Sequence, residues 1–244
     1  NPEVRNYLLD TVRFWVQEFD IDGIRLDCAG DLSFEFMQEL RRLANEIKPE
    51  FWLMGEVIHG EYARWVNPQM LHSVTNYEMH KSIYSAHNDH NYFELAHNVR
   101  RLEAVGRDLY TFVDNHDEDR IASKLLNPAH LAPLYTLLFT LPGIPSIYYG
   151  SEWGEEGVKA PDNDYALRPC FEEPKPNELT EFIKKLIRVR QESDALCNGA
   201  YKNVVIQNHQ LVFERCSEKE RVIVAINAAD YPYTCLLYTS DAAD

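Results

Sequence analysis

The chain contains 244 residues, of which 45% are apolar, so it is long enough for one large domain or for a domain with a smaller second one. It carries 39 acidic against 24 basic residues, which gives a formal net charge of −15 at pH 7. This charge argues against nucleic acid and anionic membranes as partners, because both repel an acidic protein.

Segments with helical spacing of apolar residues alternate along the chain with short β-type runs. The predicted order is helix 3–19, strand 23–27, helix 34–47, strand 51–57, strand 72–78, helix 92–105, strand 109–115, helix 131–141, strand 146–150 and helix 179–187. Such alternation is typical of a parallel α/β sheet, so the five strands indicate either a doubly wound sheet or part of a (β/α)8 barrel. No glycine-rich phosphate loop follows any of these strands, which disfavours nucleotide binding.

A different pattern begins after residue 200. The runs NVVIQ, QLVFERC and RVIVAIN are short and separated by polar turns, so they predict antiparallel strands of a small β domain. Residues 235–244, CLLYTSDAAD, fit neither pattern, and we expect a non-native tail there. At the other end, Asn1-Pro2-Glu3 has the pattern of a helix cap, so we expect a chain cut from a longer protein.

The first predicted strand, in the stretch GIRLDCAGD, holds two charges within an apolar run. Successive side chains of a strand point to opposite faces. We therefore expect Ile24, Leu26 and Cys28 to pack under helices, while Arg25 and Asp27 share the other face. An arginine two residues before a carboxylate on the same face keeps it ionised by charge and hydrogen bonding. Taken alone, this pair is better explained by packing than by function.

The same pattern recurs at two further predicted strands. FWLMGE ends with Glu56, and FVDNHD ends with Asn115, His116 and Asp117. The carboxyl ends of parallel strands form the edge at which α/β barrels place their chemistry. Three of the five predicted strands therefore place carboxylates at the edge formed by the carboxyl ends of the strands. This recurrence favours a functional interpretation over packing alone.

The residue types at this edge exclude several chemistries. An enolase-type metal site requires a lysine base, whereas the companions of the carboxylates here are Arg25 and His116. A Ser-His-Asp hydrolase requires a G-x-S-x-G elbow, and the sequence contains none. Two carboxylates in unlike environments, with a third acid and a histidine, are suited to cleavage of a glycosidic bond.

The segments GIRLD, GEV and FVDNHD occur in this order and resemble the conserved segments of the α-amylase family, glycoside hydrolase family 13. The strand–helix order agrees over residues 1–195. The resemblance implies an α/β fold, with strands four to eight of a partial (β/α)8 TIM barrel and the start of a C-terminal antiparallel β-sandwich. The implied domains are residues 1–196 for the barrel part and 197–234 for the β domain. The resemblance implies that three parts of the family's catalytic domain would lie upstream of Asn1: the first three barrel strands, the domain inserted after the third strand, and the first conserved segment.

The resemblance also implies roles for the charged residues. Asp27 would be the nucleophile, oriented and kept charged by Arg25. Glu56 would protonate the leaving oxygen and then activate water. Asp117 would stabilise the distorted, oxocarbenium-like sugar, and His116 would contact the sugar at the scissile position. The reaction would retain the anomeric configuration, for which the carboxyl groups of nucleophile and acid are expected about 5–5.5 Å apart.

Further candidates lie around these residues. Asn115 could support the nucleophile by hydrogen bonds or simply pack at the strand end. Several aromatic residues could stack on glucose, although core packing is the better explanation for each one singly. Trp65, nine residues past Glu56 in a predicted loop at the active edge, is the most suggestive of them and is kept as a candidate substrate contact. His59, in the same predicted loop, is equally explained as a subsite contact or as a surface residue.

The sequence gives no positive sign of a cofactor. Many α-amylases carry Lys-His shortly after the nucleophile, at a calcium site, whereas this chain has Gly30-Asp31. A structural calcium ion is therefore not supported here, and no metal-ligating residues are assigned. The five cysteines form no C-x-x-C pair, which disfavours a disulfide framework or zinc site and leans towards a reducing, cytoplasmic compartment.

The favoured activity is hydrolysis of starch- or maltodextrin-type α-glucans, with α-1,4 or α-1,6 preference undecided. A transglycosylase or maltogenic, neopullulanase-like enzyme is an alternative within the same chemistry. A non-catalytic binding relative is the alternative of a different class, and the presence of Asp27, Glu56 and Asp117 disfavours it. We further expect the 244 residues alone to aggregate or to be inactive, because a barrel lacking three strands exposes sheet edges and apolar core.

Overall fold

The computed structural model describes residues 1–235, so the predicted tail at 235–244 lies outside the described residues except for Cys235. The helices are α1 (Pro2–Phe19), α2 (Phe34–Ile47), α3 (Tyr77–Asn88), α4 (Tyr92–Arg101), α5 (Ile121–Lys124), α6 (Leu131–Thr140), α7 (Glu178–Glu192) and α8 (Asp194–Asn198). The strands are β1 (Gly23–Leu26), β2 (Trp52–Gly55), β3 (Ser73–Val74), β4 (Tyr110–Thr111), β5 (Ile144–Pro145), β6 (Ala200–Ile206), β7 (Gln210–Cys216) and β8 (Arg221–Asn227).

The first five strands form one arc of parallel strands. β1 pairs with β2 and β2 with β3, and β4 pairs with β5, all in parallel. A parallel bridge between Thr75 and Tyr110 connects the two groups. The order along the arc is therefore β1-β2-β3-β4-β5, with β1 and β5 at its ends. Because all strands run in the same direction, their carboxyl ends lie on one side, where the charged residues follow them.

Two local features bring the strand ends close together. Gly55, the last residue of β2, lies against the turn that follows β1. A Cβ added to Gly55 would lie 2.5 Å from a methyl group of Leu71 and 2.7 Å from the Cβ of Ala29. Only glycine allows this approach without displacing its neighbours. Asn76 accepts a hydrogen bond from the backbone N–H of Met79 and so caps α3. This cap begins the helix directly after β3 and places Tyr77 beside the ends of the strands.

Helices cover the outer side of the arc and bury its apolar residues. In α2, Met37, Leu40 and Leu43 recur at helical spacing and are buried. In contrast, α1 leaves several large apolar side chains exposed, among them Phe14 and Trp15. The predicted helices at 3–19, 34–47, 131–141 and 179–187 are confirmed within a few residues at their ends, except that α7 extends to Glu192.

The antiparallel sheet predicted after residue 200 is present, in the order β6-β7-β8. Its attachment to the helices depends partly on Arg215 of β7, which is fully buried and donates hydrogen bonds to the carbonyl oxygens of Thr140 and Gly199. The division into domains at residue 196 stays a prediction.

Four predicted elements were wrong in extent. The strand at 109–115 is only Tyr110–Thr111. The strand at 72–78 is only Ser73–Val74, because the Asn76 cap starts the unpredicted α3. The helix at 92–105 ends at Arg101. No strand covers 146–150.

At Tyr148 and Tyr149, within the predicted strand 146–150, the backbone turns instead of continuing as a strand. The guanidinium of Arg120 lies over the Tyr148 ring and donates to the Tyr149 carbonyl oxygen, and Gly150 has a positive φ of 90°. Among the described residues, no helix is long and apolar enough to cross a membrane.

Candidate active site

The three predicted catalytic carboxylates all follow strands of the parallel arc. Asp27 comes directly after β1 and Glu56 directly after β2, and these two strands are hydrogen-bonded neighbours. Asp117 lies in the loop between β4 and α5. The structure therefore places Asp27 and Glu56 side by side, with oxygen atoms of the two carboxylates within 4.8 Å of each other.

Arg25 connects the two neighbouring carboxylates. Its Nη1 donates a hydrogen bond to Oδ1 of Asp27, and its Nη2 lies 3.0 Å from Oε1 of Glu56. The alternation argument thus predicted the Arg25–Asp27 contact correctly. The hydrogen bond and the positive charge of Arg25 lower the pKa of Asp27, which keeps this carboxyl ionised to lower pH.

The two carboxylates occupy unlike environments. The side chain of Asp27 is 76% exposed, whereas that of Glu56 is only 10% exposed. Oε2 of Glu56 accepts the backbone N–H of Cys28 at 3.1 Å, and its Oε1 lies 3.5 Å from the hydroxyl group of Tyr77, which donates to it. An exposed, charged carboxylate beside a buried, hydrogen-bonded one is the combination that a nucleophile and a general acid require.

Cys28 does not pack under the helices, contrary to the alternation prediction. The strand ends at Leu26, and Cys28 is exposed in a left-handed turn with φ 44° and ψ 42°. In this conformation its backbone N–H points at Glu56 rather than into a sheet ladder. The prediction failed because strand alternation no longer applies past the last residue of the strand.

Asn115 links the loop of the third carboxylate to the buried acid. Its side-chain oxygen accepts the backbone N–H groups of Asp117 and Glu118, both at 2.9 Å. Its side-chain nitrogen donates to the Tyr77 hydroxyl at 3.1 Å, and that hydroxyl in turn contacts Glu56. The side-chain hydrogen bonds of Asn115 therefore involve Tyr77, Asp117 and Glu118 rather than Asp27.

Asp117 is held by a histidine and by an arginine that the sequence analysis missed. The Nε2 atom of His116 lies 3.0 Å from Oδ2 of Asp117. Arg168 donates from Nη2 to Oδ1 of Asp117 at 2.8 Å and from Nε to the His116 carbonyl oxygen at 3.0 Å. Arg168 lies in the long loop between β5 and α7. No local sequence signal marks it, because its two partners lie 51 and 52 residues earlier in the chain.

Trp65 is a core residue here, which corrects the prediction that it stacks on substrate. Its side chain is buried, with only 6% of the residue exposed, and it packs edge-on against Phe34 at 6.0 Å. Gly60, which has a positive φ, lies against its ring. The tryptophan therefore offers no free ring face to a sugar. His59 is exposed in the same loop, and its role as a subsite contact stays a prediction.

One group of potential metal ligands occurs within residues 1–235. It combines Asp27, Cys28 and Glu56. Calcium prefers six to eight oxygen ligands, and a thiol does not suit it. Both carboxylates of this group are already paired with Arg25, so these residues do not fit a calcium site.

Several known proteins are similar to this chain over most of its length. The model of the family described as "Alpha amylase, catalytic domain" matches residues 1–169. The maltogenic α-amylase of Bacillus acidopullulyticus is 32% identical, with an alignment that covers 95% of this chain and 42% of the relative. Neopullulanase 2 of Thermoactinomyces vulgaris is also 32% identical, with 99% and 43% coverage.

Solved structures agree with these sequence matches. The crystal structure of the α-amylase of Anoxybacillus superposes with a TM-score of 0.83 at 32% identity, over 93% of this chain and 52% of that chain. A solved cyclomaltodextrinase superposes with a TM-score of 0.84 at 27% identity, over 93% and 40% of the two chains. The chain therefore spans about two-fifths of the length of the curated relatives that it matches.

Proposed function

Because the chain belongs to the α-amylase family, we propose that it carries the catalytic carboxylates of a retaining glycoside hydrolase that acts on starch- or maltodextrin-type α-glucans. The observation that carries this proposal is the pairing of Asp27 and Glu56. They stand at the ends of adjacent parallel strands, with Arg25 between them and with oxygen atoms within 4.8 Å. This proximity supports the short carboxyl spacing of retaining enzymes, since inverting enzymes need about 6.5–9.5 Å to admit a water molecule.

In the first step of the proposed reaction, a carboxylate oxygen of Asp27 attacks the anomeric carbon of the sugar. The bond from that carbon to the glycosidic oxygen breaks, and Glu56 transfers its proton to the leaving oxygen. In the second step, Glu56 accepts a proton from water, and the oxygen of that water attacks the anomeric carbon and releases Asp27. Two inversions at the same carbon retain the α configuration.

The environments of the two carboxylates support this division of roles. Asp27 is exposed to an incoming sugar, and the lowered pKa keeps it in the charged form that attacks. Glu56 is buried, and the Cys28 backbone N–H and the Tyr77 hydroxyl fix its orientation. Arg25 touches both carboxylates and thereby sets their relative position.

We assign transition-state stabilisation to Asp117 and contact with the bound sugar to His116. Both belong to one loop, and Arg168 reaches that loop from a distant segment and contacts both residues. A carboxylate held by an arginine and a histidine keeps a fixed position, which favours hydrogen bonds to sugar hydroxyls that strengthen in the transition state.

We further assign β1 to β5 as strands four to eight of the barrel and β6 to β8 as the start of a C-terminal β-sandwich. The open ends of the arc at β1 and β5 and the exposed apolar residues of α1 support this assignment. An exposed strand edge invites pairing with another segment. Activity is therefore expected from the complete protein, not from these 244 residues alone.

The proposal is tested in the complete protein by trapping the covalent intermediate with a slow-reacting fluorinated glucosyl substrate. Mass spectrometry of the digested protein should show the glucosyl mass on the peptide that contains Asp27. Asp27→Ala and Glu56→Gln should each lower kcat on the order of a thousandfold. Asp10→Ala, which removes an exposed carboxylate of α1, serves as the matched control. An active enzyme with its label on another residue, or with near-normal kcat in Asp27→Ala, would refute the assignment.

Product analysis separates the remaining alternatives. Short maltooligosaccharides alone indicate hydrolysis, whereas products longer than the substrate indicate transglycosylation, because only the acceptor differs between the two reactions. The presence of Asp27, Glu56 and Asp117 in the chain disfavours a non-catalytic binding relative. Substrate binding without any turnover in the complete protein would favour that relative instead.

A further inference from the structure

Arg120 is a fully buried arginine that directly precedes α5, at the end of the loop that carries Asp117. Its Nη1 donates hydrogen bonds to the Tyr149 carbonyl oxygen and, at 3.1 Å, to Oγ of Ser151. Its Nη2 donates to the Leu167 carbonyl oxygen at 2.8 Å. One side chain therefore connects the loop after β4 to two separate parts of the long loop between β5 and α7.

The surroundings of Arg120 suit a guanidinium group and no smaller cation. The group is planar and presents its donors in a fixed fork, so it can hold several acceptors at once, whereas a lysine ammonium is a compact point charge. The Tyr148 ring lies 4.2 Å from the guanidinium carbon and adds a cation–π contact. Ser151 in turn donates to the buried carboxylate of Asp114 at 2.7 Å. The two parts of the long loop are thus held in one arrangement around a single side chain.

The backbone of the long loop also packs closely on Arg120. The backbone N–H of Arg120 donates to the Gly157 carbonyl oxygen at 2.9 Å. A Cβ added to Gly157 would lie 2.2 Å from the Ala166 carbonyl oxygen and 3.1 Å from Cγ of Arg120. Only glycine fits between these atoms without a shift of the backbone. The arginine is therefore enclosed by the loop that it holds.

The contact with Leu167 leads directly to the third carboxylate. The carbonyl group that Arg120 holds belongs to the peptide bond before Arg168. Arg168 donates to Oδ1 of Asp117 at 2.8 Å and to the His116 carbonyl oxygen at 3.0 Å. The side chain of Arg168 is 45% exposed, so burial does not fix it. Its position depends on the backbone that carries it, and the buried arginine holds that backbone.

We propose that Arg120 is a positioning residue, which holds the long loop so that Arg168 keeps the carboxylate of Asp117 in place beside the bound sugar. The inference rests on the proposed function, because it requires transition-state stabilisation by Asp117. Arg120 itself is fully buried and does not touch the sugar. A displacement of about 1 Å can lower a rate by as much as 100-fold. Loss of the guanidinium should therefore lower kcat through Asp117 and leave Asp27 and Glu56 in place.

The test is a double-mutant cycle in the complete protein, with Arg120→Lys, Asp117→Asn and an aryl maltooligosaccharide as substrate. Asp117→Asn alone should lower kcat about a hundredfold or more, as loss of a transition-state contact does. Arg120→Lys alone should lower kcat roughly 3- to 10-fold, with a smaller change in KM, because an ammonium cannot hold both carbonyl oxygens. In the Asp117→Asn background, Arg120→Lys should lower kcat by less than about 1.5-fold, because the carboxylate that it displaces is gone.

Arg190→Lys is the matched control for the loss of a buried guanidinium. Arg190 of α7 is also buried and also donates to three carbonyl oxygens, which lie in the segment before β5. This variant should unfold at a lower temperature than the wild type and keep its kcat. A general loss of packing would lower kcat in both Asp117 backgrounds, and only a positioning role makes the effect of Arg120→Lys depend on Asp117.

The outcomes separate this inference from the proposed function. Arg120→Lys with a wild-type kcat, or with the same loss in both backgrounds, would overturn the inference alone. Asp117→Asn with a near-normal kcat would overturn the proposed role of Asp117 and the inference with it. Equal circular dichroism spectra would show that Arg120→Lys folds. If it does not, Ser151→Ala removes one acceptor and should lower kcat roughly two- to fivefold only where Asp117 is present; no loss, or an equal loss in both backgrounds, would again overturn the inference.

Discussion

The hydroxyl group of Tyr77 connects Asn115 to Glu56, and Tyr77→Phe removes this hydroxyl without changing the ring. The variant loses a 3.1 Å hydrogen bond from Asn115 and a longer, 3.5 Å contact with Glu56. A hydrogen bond contributes about 0.5–1.5 kcal/mol, and somewhat more when one partner is charged. Since the contact with Glu56 is long, we expect a loss of about 1–2 kcal/mol of transition-state stabilisation, or roughly a 5- to 30-fold lower kcat.

Burial raises the pKa of Tyr77 to about 12, so its hydroxyl stays protonated throughout the range in which the enzyme would work. The loss in Tyr77→Phe is therefore expected at every pH of a kcat profile measured with a soluble maltooligosaccharide. Tyr84→Phe is the matched control, because Tyr84 lies on the same helix and contacts His80 and Lys124 instead of Glu56. A Tyr77→Phe enzyme within twofold of the wild type would show that this chain of hydrogen bonds does not orient the acid.

Three further substitutions test other contacts. Arg25→Gln removes the group that lowers the pKa of Asp27, so this pKa should rise and the acid limb of the kcat/KM profile should move to higher pH. Arg168→Gln removes an exposed ion pair with Asp117, and kcat/KM should fall roughly 1.4- to 5-fold, as expected for a loss of about 0.2–1 kcal/mol. Arg215→Met leaves two buried carbonyl oxygens unpaired and should lower the free energy of unfolding by about 2–4 kcal/mol in urea titrations.

Arg188, an exposed arginine of α7, supplies the matched controls as Arg188→Gln and Arg188→Met. The Arg25 reasoning fails if the acid limb stays in place or moves to lower pH. For Arg168, a wild-type kcat/KM would show that Asp117 keeps its position without the arginine. For Arg215, equal urea midpoints would mean that other groups or water satisfy the freed carbonyl oxygens.

The sequence predicted best those features that depend on neighbouring residues. A cation and a carboxylate inside an apolar strand are visible in the order Arg25-Leu26-Asp27, and the contact between Arg25 and Asp27 follows from alternation alone. Tyr77 and Arg168 could not be assigned their contacts in the same way. Tyr77 reaches Glu56 because a helix begins after β3, and Arg168 reaches Asp117 across a loop. These contacts depend on the fold, and a single sequence carries no local sign of them.

The lengths of the strands were also predicted poorly, because they too depend on contacts between distant residues. β4 and β5 comprise only two residues each, although the apolar runs around them are longer. Pro145 has no backbone N–H to donate, and Arg120 takes the carbonyl oxygen of Tyr149 that a longer ladder would use. An apolar run shows that a segment is buried, but the pairing of its backbone groups decides whether it is a strand.

The difference between the two proposed catalytic carboxylates follows from the backbone rather than from the carboxylates themselves. Asp27 and Glu56 both follow the last residue of a strand, yet one side chain is 76% exposed and the other 10% exposed. The left-handed turn at Cys28 directs a backbone N–H to Glu56, and Gly55 lets β2 approach that turn closely. A substitution that straightens the turn would therefore expose Glu56 and make the environments of the two carboxylates more alike, even though both carboxylate side chains would still be present.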